Sequence, residues 1–337
     1  MKALVTGASG FIGSHLTEHL IHSGWQVRCL LRRTSSLRWL DGLPIDLVTD
    51  DLIHPRNLSR ALIDVDVVFH AAGVTKAANR HAFFEGNLLT TRHLVDACAR
   101  SGNADLRFIY ISSLSAAGPS LNGRPLEEDD PPAPVSWYGR SKLLAEDTVL
   151  RGFPPELLRI IRPPIVYGPR DRDFLQVFEC VSLGFHFVAR PGCQRVNFIH
   201  VDDLVRGILL AARWKGNNQP TFFMTGEGDH DWPSIGKSVG RALGRKPLML
   251  PIPVPVLQGI GGVGSFLSKA MGKALVLNVD KIREATQPHW LCSNAKATEQ
   301  LGFYPSITLD EGLASTADWY RKAGWLRHSP SQPFMRT

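Results

Sequence analysis

Apolar positions along the first third of the chain switch between two rhythms. The run Ala3-Leu4-Val5-Thr6 passes into Gly7-Ala8-Ser9-Gly10-Phe11-Ile12-Gly13, after which Ile12, Leu16, Leu20 and Ile21 recur at the spacing of one helix face. Ser23-Gly24 is a helix stop, and Trp25 to Leu31 is a second strand. Further strands are predicted at Ile45 to Thr49, Val65 to His70, Leu106 to Ser112 and Leu157 to Ile161, with helices at about Phe83 to Ser101 and Trp137 to Leu150. These strands are apolar on both faces, the mark of parallel strands covered by helices on each side. The expected class is α/β, a Rossmann-like doubly wound parallel sheet.

Beyond Arg162 the rhythm breaks at prolines 163, 164 and 169. Helices near Phe174 to Leu183, Asp203 to Arg213, Pro233 to Leu243, Ala295 to Leu301 and Leu309 to Ala323, with a strand entering Phe198 to Val201, suggest a smaller mixed α/β substrate lobe. The expected division is a dinucleotide domain over 1–165 with returning segments near 196–215, a substrate lobe over 166–325 and a loose tail over 326–337. Residues 248–267 carry no charge, but prolines 251, 253 and 255 and glycines 259, 261, 262 and 264 argue against a regular helix or an integral membrane span. An apolar wall or lid over substrate is expected there, with a peripheral membrane contact assisted by Lys269 and Lys273 as the alternative.

The glycine turn carries the first chemical signal. Glycines at 7, 10 and 13 let the backbone turn sharply and let a diphosphate approach the amino end of the following helix, whose unpaired N–H groups favour anions. Composition narrows the partners. The 337 residues are 44% hydrophobic and 20% charged, which excludes disorder as a reading. Lysine and arginine (38) exceed aspartate and glutamate (31). No long basic run or aromatic-basic interleaving marks a nucleic-acid groove, so small anionic molecules are the expected ligands. Five scattered cysteines without a Cys-x-x-Cys pair point to reduced thiols in the cytoplasm and to no zinc site. No basic start precedes an apolar core at the N-terminus, so a signal peptide is not expected.

Tyr138 and Lys142 stand four apart, so one helix face presents a phenol and an ammonium, a pair suited to acid–base work in which the cation eases phenol ionisation. Ser113 lies at the carboxyl end of the fifth strand, where open α/β sheets bind ligands, and could grip the reacting oxygen.

Together these pieces resemble the extended short-chain dehydrogenases/reductases, the NAD-dependent epimerase/dehydratase family. The matching segments are the turn Gly7, Gly10, Gly13; Asp51-Leu52; His70-Ala71-Ala72-Gly73; Ser113; Tyr138 with Lys142; Arg162-Pro163 leading to Val166-Tyr167-Gly168-Pro169; and Phe198-Ile199-His200-Val201-Asp202-Asp203. The resemblance covers about residues 1–325. It implies catalysis by Ser113, Tyr138 and Lys142. It implies a cofactor held by Gly7, Ser9, Gly10, Phe11, Ile12 and Gly13, with Asp51 and Leu52 at the adenine and Ala71, Ala72 and Gly73 under the ribose and diphosphate. Lys142 would hold the nicotinamide ribose and Pro163 and Val166 the nicotinamide. Asn87 occupies the family's asparagine position, a supporting one on the substrate side, and a homodimer through the helices at 83–101 and 137–150 is implied.

Cofactor choice turns on the end of the second strand, where Arg32 and Arg33 stand in place of a carboxylate; NADP(H) is favoured and NAD(H) possible. Leu114-Ser115 replaces the acidic pair that dehydratases of the family carry beside the catalytic hydroxyl. Of the family's phosphate-binding arginines, Val196 occupies one position with Arg195 beside it, and Arg283 matches the other doubtfully, followed by Glu284-Ala285-Thr286. The expected reaction is therefore hydride exchange with an apolar alcohol or ketone, steroid-, terpenoid- or lipid-like. The alternatives are a nucleotide-sugar epimerase and a non-enzymatic dinucleotide sensor or scaffold.

Overall fold

The computed structural model describes residues 1–189, 194–216, 219–259 and 279–326. The chain opens with β1 (Lys2–Thr6), α1 (Phe11–His22), β2 (Gln26–Leu31), β3 (Ile45–Thr49), α2 (Ser59–Leu62) and β4 (Val67–His70). A long helical segment follows as α3 (Arg80–Phe83), a π-helical stretch Phe84–Leu89 and α4 (Thr90–Arg100). Then come β5 (Arg107–Ile111), α5 (Leu114–Ala117), α6 (Trp137–Gly152) and β6 (Leu158–Arg162). With β11 (Thr221–Phe223), six of these strands form a seven-stranded sheet in the order β11-β6-β5-β4-β1-β2-β3, every pairing parallel. Strands β4 and β6 are fully buried, β4 being apolar up to His70, whereas β6 also buries Arg159 and Arg162, whose guanidinium groups find carbonyl and carboxylate partners.

Two apolar layers sandwich the sheet. One contains Leu16 and Leu20 of α1 and Leu204, Val205 and Ile208 of α8 (Val201–Arg213); the other contains Leu94 and Val95 of α4 and Ala145 and Val149 of α6. The remaining elements are β7 (Ile165–Tyr167), α7 (Leu175–Ser182), β8 (Phe185–Ala189), β9 (Arg195–Val196), β10 (Phe198–His200), β12 (His230–Asp231), α9 (Trp232–Leu243), β13 (Leu248–Ile252), α10 (Val279–Ala285), β14 (His289–Trp290), α11 (Ala295–Leu301) and α12 (Leu309–Lys322). A separate aromatic core joins α7, α9 and α12, built on Tyr167, Phe174, Phe178, Phe198 and Tyr320.

The structure departs from the sequence reading in three places. The long helical segment begins at Arg80, three residues early, because the Asn79 side chain accepts the Ala82 N–H and caps it. The two- and three-residue strands β7, β9, β11, β12 and β14 were not foreseen, being too short to show a period. Within the uncharged stretch, Leu248–Ile252 is a strand and residues 254–259 are helical, since a proline in a first helical turn needs no N–H donor. The rest of the expected lid, 260–267, and the tail from 327 lie outside the described residues.

Asp203, 1% exposed, pins α8 to the loop before α12: its carboxylate accepts the Ser306 and Ile307 N–H groups and the Ser306 hydroxyl, each at 3.0 Å. Asp203→Ala leaves these donors unpaired, a cost of about 2–4 kcal/mol. Urea unfolding should show that loss, whereas an unchanged midpoint would mean that water replaces the carboxylate without penalty.

Candidate active site

The glycine turn has the geometry of an anion cradle. Gly7 has φ +72°, and a Cβ there would lie 2.6 Å from the Ala72 nitrogen; a Cβ on Gly13 would lie 2.1 Å from the Gly7 carbonyl oxygen. The strand end, the turn and the loop after β4 therefore touch through backbone alone. Gly10 starts α1 with no side chain capping it, so the first-turn N–H groups and the positive end of the helix dipole stay available to an anion. Ser9, Phe11 and Ile12 lie on this turn, half-buried. These residues fit a dinucleotide diphosphate.

His70 braces the same corner. Its Nδ1 lies 2.7 Å from the Thr6 hydroxyl and its Nε2 lies 2.9 Å from that of Thr91, and burial pushes its pKa down to about 3, so it is a neutral strut. Ala71, Ala72 and Gly73 follow it. A Cβ on Gly73 would meet Asn87 Oδ1 at 2.8 Å and Lys142 Nζ at 3.9 Å. Asn87, expected on the substrate side, is a buried tie: it accepts from Val74 N–H (2.8 Å) and donates to Val74 O (3.0 Å) and Ser141 Oγ (2.8 Å). Both amide N–H donors and one lone pair of Oδ1 are thus spent on joining the loop to α6.

At the carboxyl end of β5 the three residues singled out for chemistry come together. Ser113 caps α5, accepting the Ser115 N–H at 3.1 Å, and its hydroxyl works to lower the pKa of the Tyr138 phenol. Lys142 donates to the Ile111 carbonyl at 2.6 Å with its Nζ 4.4 Å from the centre of the Tyr110 ring. The expected easing of phenol ionisation is reversed here: burial pushes Tyr138 up to about 12, against the Ser113 hydroxyl, with the Glu284 carboxylate adding to the rise. Burial likewise brings Lys142 down to about 7, against the pull of the Glu146 carboxylate. Lys142 points at a carbonyl rather than at the phenol.

Below Lys142 lies a buried network. Glu146 receives Arg162 through Nε (3.0 Å) and Nη2 (2.6 Å) and also accepts the Ser112 hydroxyl. This fork ties α6 to the ends of β5 and β6, and its negative charge partly restores the protonation of Lys142.

Sequence reasoning missed α10. Asp280 accepts the Trp137 and Tyr138 N–H groups at 2.7 and 3.1 Å, capping α6 from another part of the chain, and Glu284 accepts the Ser136 hydroxyl at 2.7 Å. Lys281 pairs with Glu284 at 3.3 Å and adds positive charge near the phenol. With Thr75, Lys76 and Phe83 these three residues close over Tyr138, leaving a cavity of about 10 Å³, room for one water. The only sequence signal was two carboxylates at helical spacing, which an exposed helix would also show.

Other expected positions are spread around this centre. Arg32 and Arg33 are exposed at the end of β2. Asp51 accepts the Ile53 N–H at 2.8 Å, and Leu52 is buried beside it. The Pro163 carbonyl accepts from Leu114 N–H at 2.8 Å, and Val166 sits on β7, paired with Ile199 of β10. Arg195, on β9, is engaged by Asp229, and Arg283 lies on α10, where its charge favours the ionised form of Asp280. No group of three or more metal-ligating side chains occurs among the described residues.

The model of the NAD dependent epimerase/dehydratase family matches residues 3–224, and the chain belongs to that family. It is 31% identical over 322 residues to a ceramide reductase of Caulobacter vibrioides, covering 96% of this chain and 95% of that one. It is 26% identical to the human sterol-4-alpha-carboxylate 3-dehydrogenase, decarboxylating, over 95% of this chain and 88% of that protein. Among solved structures, the UDP-glucuronic acid 4-epimerase of Bacillus cereus superposes with a TM-score of 0.77 at 23% identity, over 96% of this chain and all of the other, a likeness of fold. The protein is thus an enzyme of a nicotinamide-dependent class, an oxidoreductase or an epimerase.

The depressed Lys142 fixes the sign of a pH effect in the cofactor-free protein. Because the folded chain releases this proton near pH 7 while the unfolded chain holds it to about 10.5, stability should rise with pH between the two values. Urea midpoints across this range for wild type and Lys142→Met should differ in slope, the variant being flatter. Parallel curves would contradict burial as the cause.

Proposed function

We propose that the protein is an NADP(H)-preferring oxidoreductase acting on an apolar, lipid-like alcohol or ketone through Ser113, Tyr138 and Lys142. The observation that carries this reading is the gathering of Ser113, Tyr138 and Lys142 at the carboxyl end of β5, with the Lys142 ammonium held at the Ile111 carbonyl and facing the Gly73 loop. A bound nicotinamide supplies or accepts the hydride. Ser113 holds the substrate oxygen, and Tyr138 exchanges the proton with it. A carbonyl carbon that gains the hydride and an oxygen that gains the phenol proton together yield the alcohol. A phenol held protonated up to about 12 suits this reductive direction. Lys142, once drawn from the Ile111 carbonyl toward the cofactor ribose, would bring its charge to the phenol side.

The apolar substrate class is supported by the missing phosphate anchors: Val196 is buried and Arg195 is taken by Asp229. The ceramide and sterol-carboxylate names of the relatives agree with it. The competing reading, a nucleotide-sugar epimerase, draws on the epimerases of like fold and keeps the same residues. Arg32 and Arg33 support the 2′-phosphate of NADP(H). A homodimer over the exposed Leu144 and Leu150 of α6 and a cytoplasmic setting complete the proposal.

Tyr138→Phe should lower kcat for ketone reduction by about 10²–10⁴-fold while cofactor still binds, measured by nicotinamide absorbance and by titration. Full activity in the variant would remove Tyr138 from the mechanism, and turnover of a UDP-sugar without net cofactor change would install the epimerase instead. Arg32→Ala with Arg33→Ala should weaken NADPH binding by about 10–100-fold and leave NADH binding alone, the loss of one or two charge-assisted hydrogen bonds. Equal effects on both cofactors would overturn the NADP(H) preference.

A further inference from the structure

Strands β8 and β13 form a two-stranded parallel sheet on the second lobe, with Leu248 opposite Phe185 and Leu250 opposite Phe187. Side chains of β8 alternate. His186 and Val188 point inward, the His186 ring lying 2.9 Å from the Trp232 carbonyl oxygen, while Phe185 and Phe187 point outward, 44% and 50% exposed. Leu248, at 59%, and Leu183, at 76%, extend the outward strip. Burying one of these side chains is worth about 1.5–3 kcal/mol, so an outward row of them is costly unless something covers it.

The charge along this part of the sequence bears on what covers the strip. Residues 232–279, which include β13, contain six cations (Lys237, Arg241, Arg245, Lys246, Lys269, Lys273) and no aspartate or glutamate. This stretch therefore carries +6 of the chain's formal +7, leaving +1 for the other 289 residues. Lys246 is exposed two residues before Leu248, whereas Arg241 is paired with Asp310. A protein partner would need only shape complementarity. An outward apolar strip beside an exposed lysine, in a segment of chain rich in cations, suits a surface that enters the headgroup boundary of an anionic bilayer.

We propose that the outer face of the β8–β13 sheet seats on an anionic lipid surface, with Phe185, Phe187 and Leu248 entering the interface and Lys246 at the headgroups. The contact is peripheral, since no helix among the described residues is long and apolar enough to cross a membrane. It stands apart from the redox reading, because none of these side chains belongs to the site around Tyr138.

The full chain, mixed with vesicles of phosphatidylcholine containing phosphatidylglycerol, should sediment with them, and less so with phosphatidylcholine alone or at high salt. Phe185→Ser with Phe187→Ser should weaken partitioning by about tenfold or more. Lys246→Glu, a change at an exposed position, should weaken it by about fivefold or more without touching the apolar strip. Near-ultraviolet circular dichroism and cofactor titration check that the variants keep their fold. Failure of wild type to bind anionic vesicles, or equal binding by a folded double variant and by Lys246→Glu, would overturn the proposal. So would a wild-type dimer that the double variant dissociates without any vesicle binding, since a second copy would then cover the face.

Discussion

The fork between Glu146 and Arg162 is the interaction on which the site depends. Both side chains are buried, and an isolated charge there would be costly, so each is held in place by the other and by the Ser112 hydroxyl. Since the three groups come from α6, β6 and the end of β5, satisfying their charges also fixes the height and rotation of the helix that carries Tyr138 and Lys142. Lys142 sits one helical turn from Glu146 and feels that carboxylate. The same pair that anchors the helix thus offsets part of the loss of charge that burial imposes on Lys142.

A second constraint arrives from far along the chain. Asp280 caps the amino end of α6 through two backbone N–H groups, and Glu284 takes the Ser136 hydroxyl. A carboxylate at a helix amino terminus is favoured by the dipole and by the orphan donors there. Helix α10 therefore completes α6 as well as roofing it. Burial, with the Glu284 carboxylate adding to it and Lys281 opposing, keeps the proton on Tyr138.

Much of this was legible in the chain. The strands of the sheet announced themselves because a strand covered on both faces is largely apolar, and the glycine turn because a Cβ at Gly7 or Gly13 would collide with neighbouring backbone. Tyr138 and Lys142 were visible because four residues make one helical turn. The direction in which Lys142 points was not visible. Spacing places two side chains on one face, but the Ile111 carbonyl and the Tyr110 ring decide where the ammonium goes.

By itself the sequence determined the parallel sheet, the anion-binding turn, the family and the residue types able to move a proton, since each follows from local periodicity or from the sterics of a few adjacent residues. The tertiary structure alone decided that Asn87 ties the loop after β4 to α6 and that α10 closes over Tyr138. It also decided that Phe185 and Phe187 share an outward face with Leu248. Those outcomes depend on which distant groups satisfy a buried charge or hydrogen bond, and no short stretch of chain encodes its partner.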